Sequence, residues 1–174
     1  MTEKTSLASS ADKMAVSIWL NNRQISLLIN PRWTMLYLLR EVLDMTGTKC
    51  GCKTGDCGAC KIIADGQAVN ACTLLVRIVA VKNMKIETIE NLSQGEKLHP
   101  IQEAFINCGA VQCGYCIPGM IMTTKALLDR NPSPDESEIR KALANNICRC
   151  TGYVKIVQAV KLAAKMMREK EKHE

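Results

Sequence analysis

Aromatic residues are scarce in this chain: one Phe, three Tyr and two Trp among 174 residues. Aliphatic side chains and nine methionines must therefore fill the interior. No apolar run approaches the roughly 18 to 20 residues of a membrane span. The first twelve residues, Met1 to Asp12, have no apolar core of a secretory signal and read as a disordered tail. A Gly-x-Gly-x-x-Gly dinucleotide fingerprint is missing, as is an evident acid–base pair, so substrate chemistry is expected on another chain. There is no basic face of one sign either. The C-terminal cations Lys161, Lys165, Arg168, Lys170 and Lys172 alternate with Glu169, Glu171 and Glu174, as on a solvated helix end, and nucleic acid is not expected as a partner.

Cysteine is what the chain has instead. Eight of its ten cysteines form two quartets with different spacings. The first is Cys52-x4-Cys57-x2-Cys60-x11-Cys72; the second is Cys113-x2-Cys116 with Cys148-x-Cys150. Cys-x4-Cys-x2-Cys with a distant fourth cysteine is the plant-type ligand pattern for a [2Fe–2S] cluster. Cysteine at this density without a signal segment argues for metal ligation in a reducing cytoplasm rather than a disulfide framework. The formal charge of +6 counts every thiol as neutral. Each oxidised [2Fe–2S] centre would bring about −2, so two centres leave roughly +2. Two such centres in one small chain point to electron transfer.

Gly51, Gly55 and Gly58 allow the 52–60 loop to wrap closely and to offer N–H groups to sulfur. In the second quartet, Cys113 and Cys116 are expected at one helix start and Cys148 and Cys150 on the turn between two others, with four helices converging on one buried site. With only His99 and His173 as imidazoles, and neither at a ligand position, a Rieske-type centre is excluded. Taken alone, the second quartet is also compatible with structural zinc in a four-thiolate site. Cys50 competes with Cys52 as first ligand, but the x4 gap favours Cys52. Cys108 is expected to pack as a small hydrophobe, and Met120, Met122, Met166 and Met167 to pack on helices.

Hydrophobic periodicity predicts strands at 16–20 and 23–29 joined by a turn at Asn21-Asn22, a helix over 34–43, and strands 60–64 and 67–72 around Asp65-Gly66. That second hairpin would return Cys72 beside Cys60. A last strand is expected over 85–89. Helices follow over 100–107 and 117–130, then from a capping box with Ser133 as N-cap and Glu136 at N3 to about Asn145, and from near Thr151 onward with Ile156, Val160, Ala164 and Met167 on one stripe. The composition shifts from α+β to all-α near 91–97. The expected layout is thus a disordered tail 1–12, a ferredoxin-like unit 13–92, a helical unit 93–168 and a charged tail 169–174. Units this small have modest cores that metal centres would supplement.

Four ordered strings carry a resemblance: Gly47-Thr-Lys-x-Gly-Cys-x-x-Gly-x-Cys-Gly-Ala-Cys60, Leu98-His-Pro-Ile-Gln102, Gly109-Ala-Val-Gln-Cys-Gly-Tyr-Cys-Ile-Pro-Gly-Met120 and Asn146-Ile-Cys-Arg-Cys-Thr-Gly-Tyr153. Over about residues 14–165 the chain closely resembles the small iron–sulfur subunit of molybdenum hydroxylases, the xanthine oxidase family. The resemblance implies an α+β chain: a β-grasp ferredoxin-like domain, then an all-α four-helix bundle, each holding one [2Fe–2S] cluster. It implies that Gln112 and Cys150 lie against the molybdopterin of a large subunit, and that the first cluster sits nearer the FAD of a medium subunit, in a heterotrimer that can dimerise. Substrates in the family are varied; a purine or another N-heteroaromatic is the expectation. The other reading is a self-standing two-cluster ferredoxin, which would need charged docking patches. Cys50 and Ile117 depart from the family's usual residues, and neither is a ligand position.

Overall fold

Asn21 and Asn22 adopt φ of 50° and 62°, the left-handed pair that a two-residue hairpin turn of matching twist requires. They join β1 (Met14–Leu20) to β2 (Arg23–Ile29) in antiparallel register, Ser17 opposite Ser26. The structure, a computed structural model, describes residues 13–93 and 95–171. The expected tail 1–12, His173 and the end of the charged tail lie outside the described residues.

The second hairpin forms as the Asp65-Gly66 signal predicts. Asp65 has φ 48° and Gly66 φ 77°, and β3 (Lys61–Ala64) pairs with β4 (Gln67–Asn70), Ala64 opposite Gln67. The Ala71 N–H donates to the Cys60 carbonyl at 3.1 Å, so the chain does bring Cys72 back to Cys60. β5 (Lys85–Glu87) is shorter than expected and inserts between the hairpins, parallel to β1 and antiparallel to β3. The five strands lie in the order β2-β1-β5-β3-β4.

Two helical features differ from the periodicity. The expected helix 34–43 is a short α1 (Met35–Tyr37), capped by the Thr34 hydroxyl, that widens into a π-helical turn over Leu38–Val42. On that turn the Arg40 guanidinium donates to the carbonyls of Thr46 and Thr48 at 3.0 and 2.9 Å, anchoring the approach to the first cysteine loop. A helix that the pattern did not announce, α2 (Val76–Val81), follows Cys72. Its β-branched residues favour strand locally, but Val76 and Val79, three apart, are both buried against the sheet. Tertiary packing decides that segment.

The second half consists of α3 (Pro100–Asn107), α4 (Ile117–Arg130), α5 (Glu136–Leu143) and α6 (Val154–Glu171). The cap of α5 is Asp135 with Glu138 at N3, not Ser133 with Glu136: the Glu138 N–H donates to the Asp135 carboxylate at 2.8 Å and the Asp135 N–H to Glu138 at 2.9 Å. Both pairs fit the same sequence rule. The later one wins because Asn131 takes the Ser133 N–H (3.1 Å), closing a turn before the helix, and because a carboxylate suits the positive N-terminal end. α6 begins at Val154 and runs through Glu169 and Lys170, residues expected to form a tail.

Among the described residues there are two hydrophobic cores. The first joins Val16, Ile18 and Leu20 of β1, Ile62 and Ala64 of β3 and Ile86 of β5 to Leu38, Leu39, Val76 and Val79. The second gathers Phe105, Met120, Met122, Ile139, Ile156 and Val160. Met166 and Met167 pack on it, partly buried. Strand alternation links the two: Ile62 faces the first core and its neighbour Ile63, 1% exposed, joins the second. α4 packs directly on β3.

Candidate metal centres

The first quartet is built on a loop that coils back on itself. Lys53, Gly55 and Gly58 take φ of 62°, 93° and 69°, and the Thr54 and Cys57 N–H groups both point at Cys52 Sγ from 3.4 Å. Gly51 is needed for space: a Cβ there would lie 2.5 Å from Cys57 Sγ. The Thr54 side chain first, then the backbone N–H groups of Cys57 and Thr54, bring the Cys52 thiol down to about 5 from 9.0. Cys60 and Cys72, on the chain ends of the β3–β4 hairpin, are buried and hydrogen-bonded to each other. Burial, and then the Cys60 sulfur, push Cys72 up to about 12.

In the second quartet Cys116 is the N-cap of α4, while Cys148 and Cys150 lie in the loop between α5 and α6. Tyr153, itself at φ 68°, organises that loop. Its hydroxyl accepts the Cys148 N–H at 2.7 Å and donates to the Asn146 carbonyl at 3.1 Å. Cys113 and Cys150 Sγ are 3.6 Å apart, and Cys116 is hydrogen-bonded to Cys148. Burial first, then Cys148, push Cys116 up to about 12. Burial opposes ionisation of Cys148 too, but Thr151, whose hydroxyl lies 3.1 Å from its sulfur, and the Cys150 N–H outweigh it and lower that thiol. The Cys113 side chain raises Cys150. The site is not fully buried as expected: Cys113 and Cys150 are exposed, because the loop after α5 and the turn before α4 meet at the surface end of the helices.

In both quartets the thiols sort into neighbouring pairs: Cys52 with Cys57, Cys60 with Cys72, Cys113 with Cys150, Cys116 with Cys148. Among the described residues, no three His, Cys, Asp or Glu side chains form a group that could hold a metal ion. Two irons bridged by sulfide take two thiolates each, and paired thiols suit that group. Metal-bound thiols are deprotonated, and thiols raised to about 12 ionise near neutrality only beside a compensating cation. The donor set therefore fits [2Fe–2S] groups.

The other singled-out residues fall as follows. Gln112 is exposed beside Cys113. Cys50 and Cys108 are half-buried, packed on the first and second core respectively. His99 caps α3, its Nδ1 accepting the Ile101 N–H at 3.2 Å. Sequence reasoning gave no role to the residues that join the two cysteine loops. The Ile147 N–H donates to the Cys57 carbonyl at 2.9 Å, Asn146 Nδ2 to the Gly58 carbonyl at 3.2 Å, and the Tyr115 hydroxyl to the Cys50 carbonyl at 2.7 Å. All three donors lie inside the quoted strings, next to or near cysteines; their type carried no signal of a partner so distant in sequence.

Residues 88–161 match the family described as "[2Fe-2S] binding domain". The chain is 43% identical over 152 residues to the nicotinate dehydrogenase small FeS subunit of Eubacterium barkeri, covering 87% of this chain and 96% of that protein. It is 42% identical over 152 residues to the nicotine 6-hydroxylase small subunit of Paenarthrobacter nicotinovorans, covering 87% and 90%. Among solved structures, quinoline 2-oxidoreductase from Pseudomonas putida 86 superposes with a TM-score of 0.85 at 40% identity, over 92% of this chain and 99% of that one. These similarities run through both cysteine quartets and nearly the full length of each partner, so this chain belongs to the small [2Fe–2S] iron–sulfur subunits of the molybdenum hydroxylases, the xanthine oxidase family, and is the iron–sulfur subunit of an oxidoreductase.

Proposed function

We propose that this chain holds two [2Fe–2S] clusters, one on Cys52, Cys57, Cys60 and Cys72 and one on Cys113, Cys116, Cys148 and Cys150, and relays electrons between partner subunits. The observation that carries the reading is the contact between the quartets: the carbonyl of Cys57 is bonded to the N–H of Ile147, the residue before Cys148. When bound, the clusters supply one-electron carriers, so that electrons from a molybdopterin centre on a large subunit reach FAD on a medium subunit. The chain's own residues hold the sulfurs in pairs, aim the Thr54 and Cys57 N–H groups at Cys52, and keep Cys60 and Cys72 from water. N–H donors to sulfur and burial are the means by which a protein sets a cluster's potential.

On this reading residues 13–92 form the ferredoxin-like domain of β-grasp type and 93–168 the helical-bundle domain. Gln112 and Cys150, both exposed, face the molybdopterin of the large subunit. Support comes from the exposed Val111, Tyr115, Ile147 and Val154, each within four residues of a cysteine of the second quartet. An apolar surround suits a permanent subunit contact better than the charged patch of a ferredoxin serving diffusing partners. The relatives' names include nicotinate, nicotine and quinoline, which favours an N-heteroaromatic substrate for the complex. No helix among the described residues is long and apolar enough to cross a membrane, and a cytoplasmic location is part of this proposal.

The test is anaerobic purification through a tag on this chain, with metal analysis and low-temperature EPR after dithionite. Four iron per chain, two distinct [2Fe–2S] signals and co-purified molybdenum and flavin subunits are expected. Two iron per chain, or zinc without EPR signals, would overturn the two-cluster reading. A lone four-iron chain would overturn the subunit relay.

A further inference from the structure

We infer that Asn146 is a positioning residue that locks the two cysteine quartets into one frame. The inference rests on the reading that each quartet holds a [2Fe–2S] group. Asn146 is 2% exposed, and every polar group it carries is engaged with a different segment. Its Oδ1 accepts the Thr123 hydroxyl of α4 at 2.9 Å, and its Nδ2 donates to Gly58 in the first cysteine loop at 3.2 Å. Its N–H donates to the Leu143 carbonyl at the end of α5 at 2.9 Å, and its carbonyl accepts the Tyr153 hydroxyl before α6 at 3.1 Å. A buried amide bonded through both its oxygen and its nitrogen favours one arrangement, because a shift leaves a desolvated group unpaired.

The segments tied in this way are the ones that carry the thiols. Gly58 follows Cys57 directly, and Asn146 precedes Cys148 by two residues. The fit between them has no slack: a Cβ on Gly58 would lie 2.1 Å from the Asn145 carbonyl oxygen, and a Cβ on Gly119 of α4 would lie 2.3 Å from the Gly58 carbonyl oxygen. The 57–59 segment is thus a wedge held between α4 and the 145–147 segment, and Asn146, within one wall, bonds to the other wall through Thr123 and to the wedge through Gly58. Electron transfer between two centres falls off exponentially with their separation, so the residue that fixes this seam fixes a quantity on which the relay depends. Order in one cysteine loop is likewise transmitted to the other.

The test compares Asn146→Ala with Thr123→Val in the full-length chain, in the complex with which it purifies. Hydrogen exchange of the 53–60 and 146–150 segments is read by mass spectrometry, and the magnetic interaction between the two reduced clusters by EPR relaxation. Asn146→Ala is expected to speed exchange about tenfold or more in both segments and to weaken the magnetic interaction. Thr123→Val leaves the Gly58 bond in place and is expected to loosen α4 while segment 57–60 stays protected. If Asn146→Ala does not accumulate, Asn146→Asp serves: it keeps the shape and the acceptor for Thr123 but replaces the donor to Gly58 with a carboxyl oxygen facing that carbonyl, which when ionised also buries a charge, so the same exchange result is expected in larger measure. Loosening confined to 146–150, with the first loop and the magnetic interaction unchanged, overturns the inference. A wild-type chain with two iron or with zinc would instead sink the two-cluster reading, whatever the exchange comparison gives.

Discussion

Gly119 sits inside α4, buried, and in an ordinary helix its replacement by Ala stabilises by about 1 kcal/mol. Here the sign should reverse. The new methyl would lie 2.3 Å from the Gly58 carbonyl oxygen and 3.2 Å from that of Ala59, whereas a carbon approaches a carbonyl oxygen comfortably at about 3.3 Å or more. Both obstacles are backbone, so no side chain can swing away, and the wedge must retreat by about an ångström. Overpacking of this kind costs about 1–3 kcal/mol. The retreat also stretches the bonds Ile147 N–H to Cys57 and Asn146 Nδ2 to Gly58, each contributing about 1 kcal/mol. Net of the helix gain, Gly119→Ala should destabilise by about 1–4 kcal/mol. For a chain of this size that is a fall of roughly 2–15 °C in the midpoint, read anaerobically from the far-ultraviolet circular dichroism and from loss of the visible iron–sulfur absorbance. The matched control is Gly66→Ala, at φ 77° and with nothing within 4 Å of the place its methyl would take, which should cost only the left-handed strain of about 1–2 kcal/mol. A Gly119→Ala midpoint at or above wild type would refute the close approach of the two halves.

Three further outcomes are expected. Burial above all, with the Lys125 charge next, holds the His99 imidazole below its ordinary 6.5; the folded state therefore binds that proton less readily than the unfolded one, so its contribution is full above 6.5 and is lost as pH falls through the lowered value. His99→Asn, which keeps a capping acceptor for Ile101 N–H, should flatten the acid limb of the unfolding curve, and an unchanged limb would remove His99 from it. In the metal-free chain, Cys52 should be alkylated by iodoacetamide well before Cys72 and Cys116 at about pH 7, with its rate falling as pH drops toward about 5; peptide mapping showing equal rates would contradict the hydrogen-bonded loop. Ile62→Ala and Ile63→Ala should each destabilise by about 2–5 kcal/mol, but hydrogen exchange should locate the loosening chiefly in the sheet half for the first and in the helical half for the second, since their side chains enter different cores.

What could be read from the chain depended on whether the signal was local. Asn21-Asn22 and Asp65-Gly66 fix their hairpins through backbone conformations that few other pairs tolerate, and the pairing of Cys60 with Ala71 followed from turn length alone. The last helix was legible because its apolar stripe is long, and the one before it because it opens with a capping box. Local rules failed where two answers satisfied them equally: Ser133-x-x-Glu136 and Asp135-x-x-Glu138 are the same motif two residues apart, and only the Asn131 turn separates them. They also failed at Val76–Val81, where β-branched residues pointed away from helix and packing against β1 overrode them. The exposure of Cys113 and Cys150 was missed because spacing says which sulfurs can meet, not how deep they lie.

The seam is the part of the site that no window of sequence could show, and its physics explains why. Asn146 and Gly58 are 88 residues apart, and each has an ordinary local reading: a glycine for a tight loop, an asparagine after a helix. Their joint meaning appears only when Gly119 brings α4 within backbone contact of the wedge and Ile63 carries the sheet into the second core. Three small or amide residues, in separate strings, thereby join the backbone carbonyls of Cys50 and Cys57 in setting the two quartets against one another. The quartets announce clustered sulfur; Gly58, Gly119 and Asn146 bear on where each set stands relative to the other, and a chain that kept all eight cysteines but lost this contact is expected to keep its sulfurs and lose their common frame.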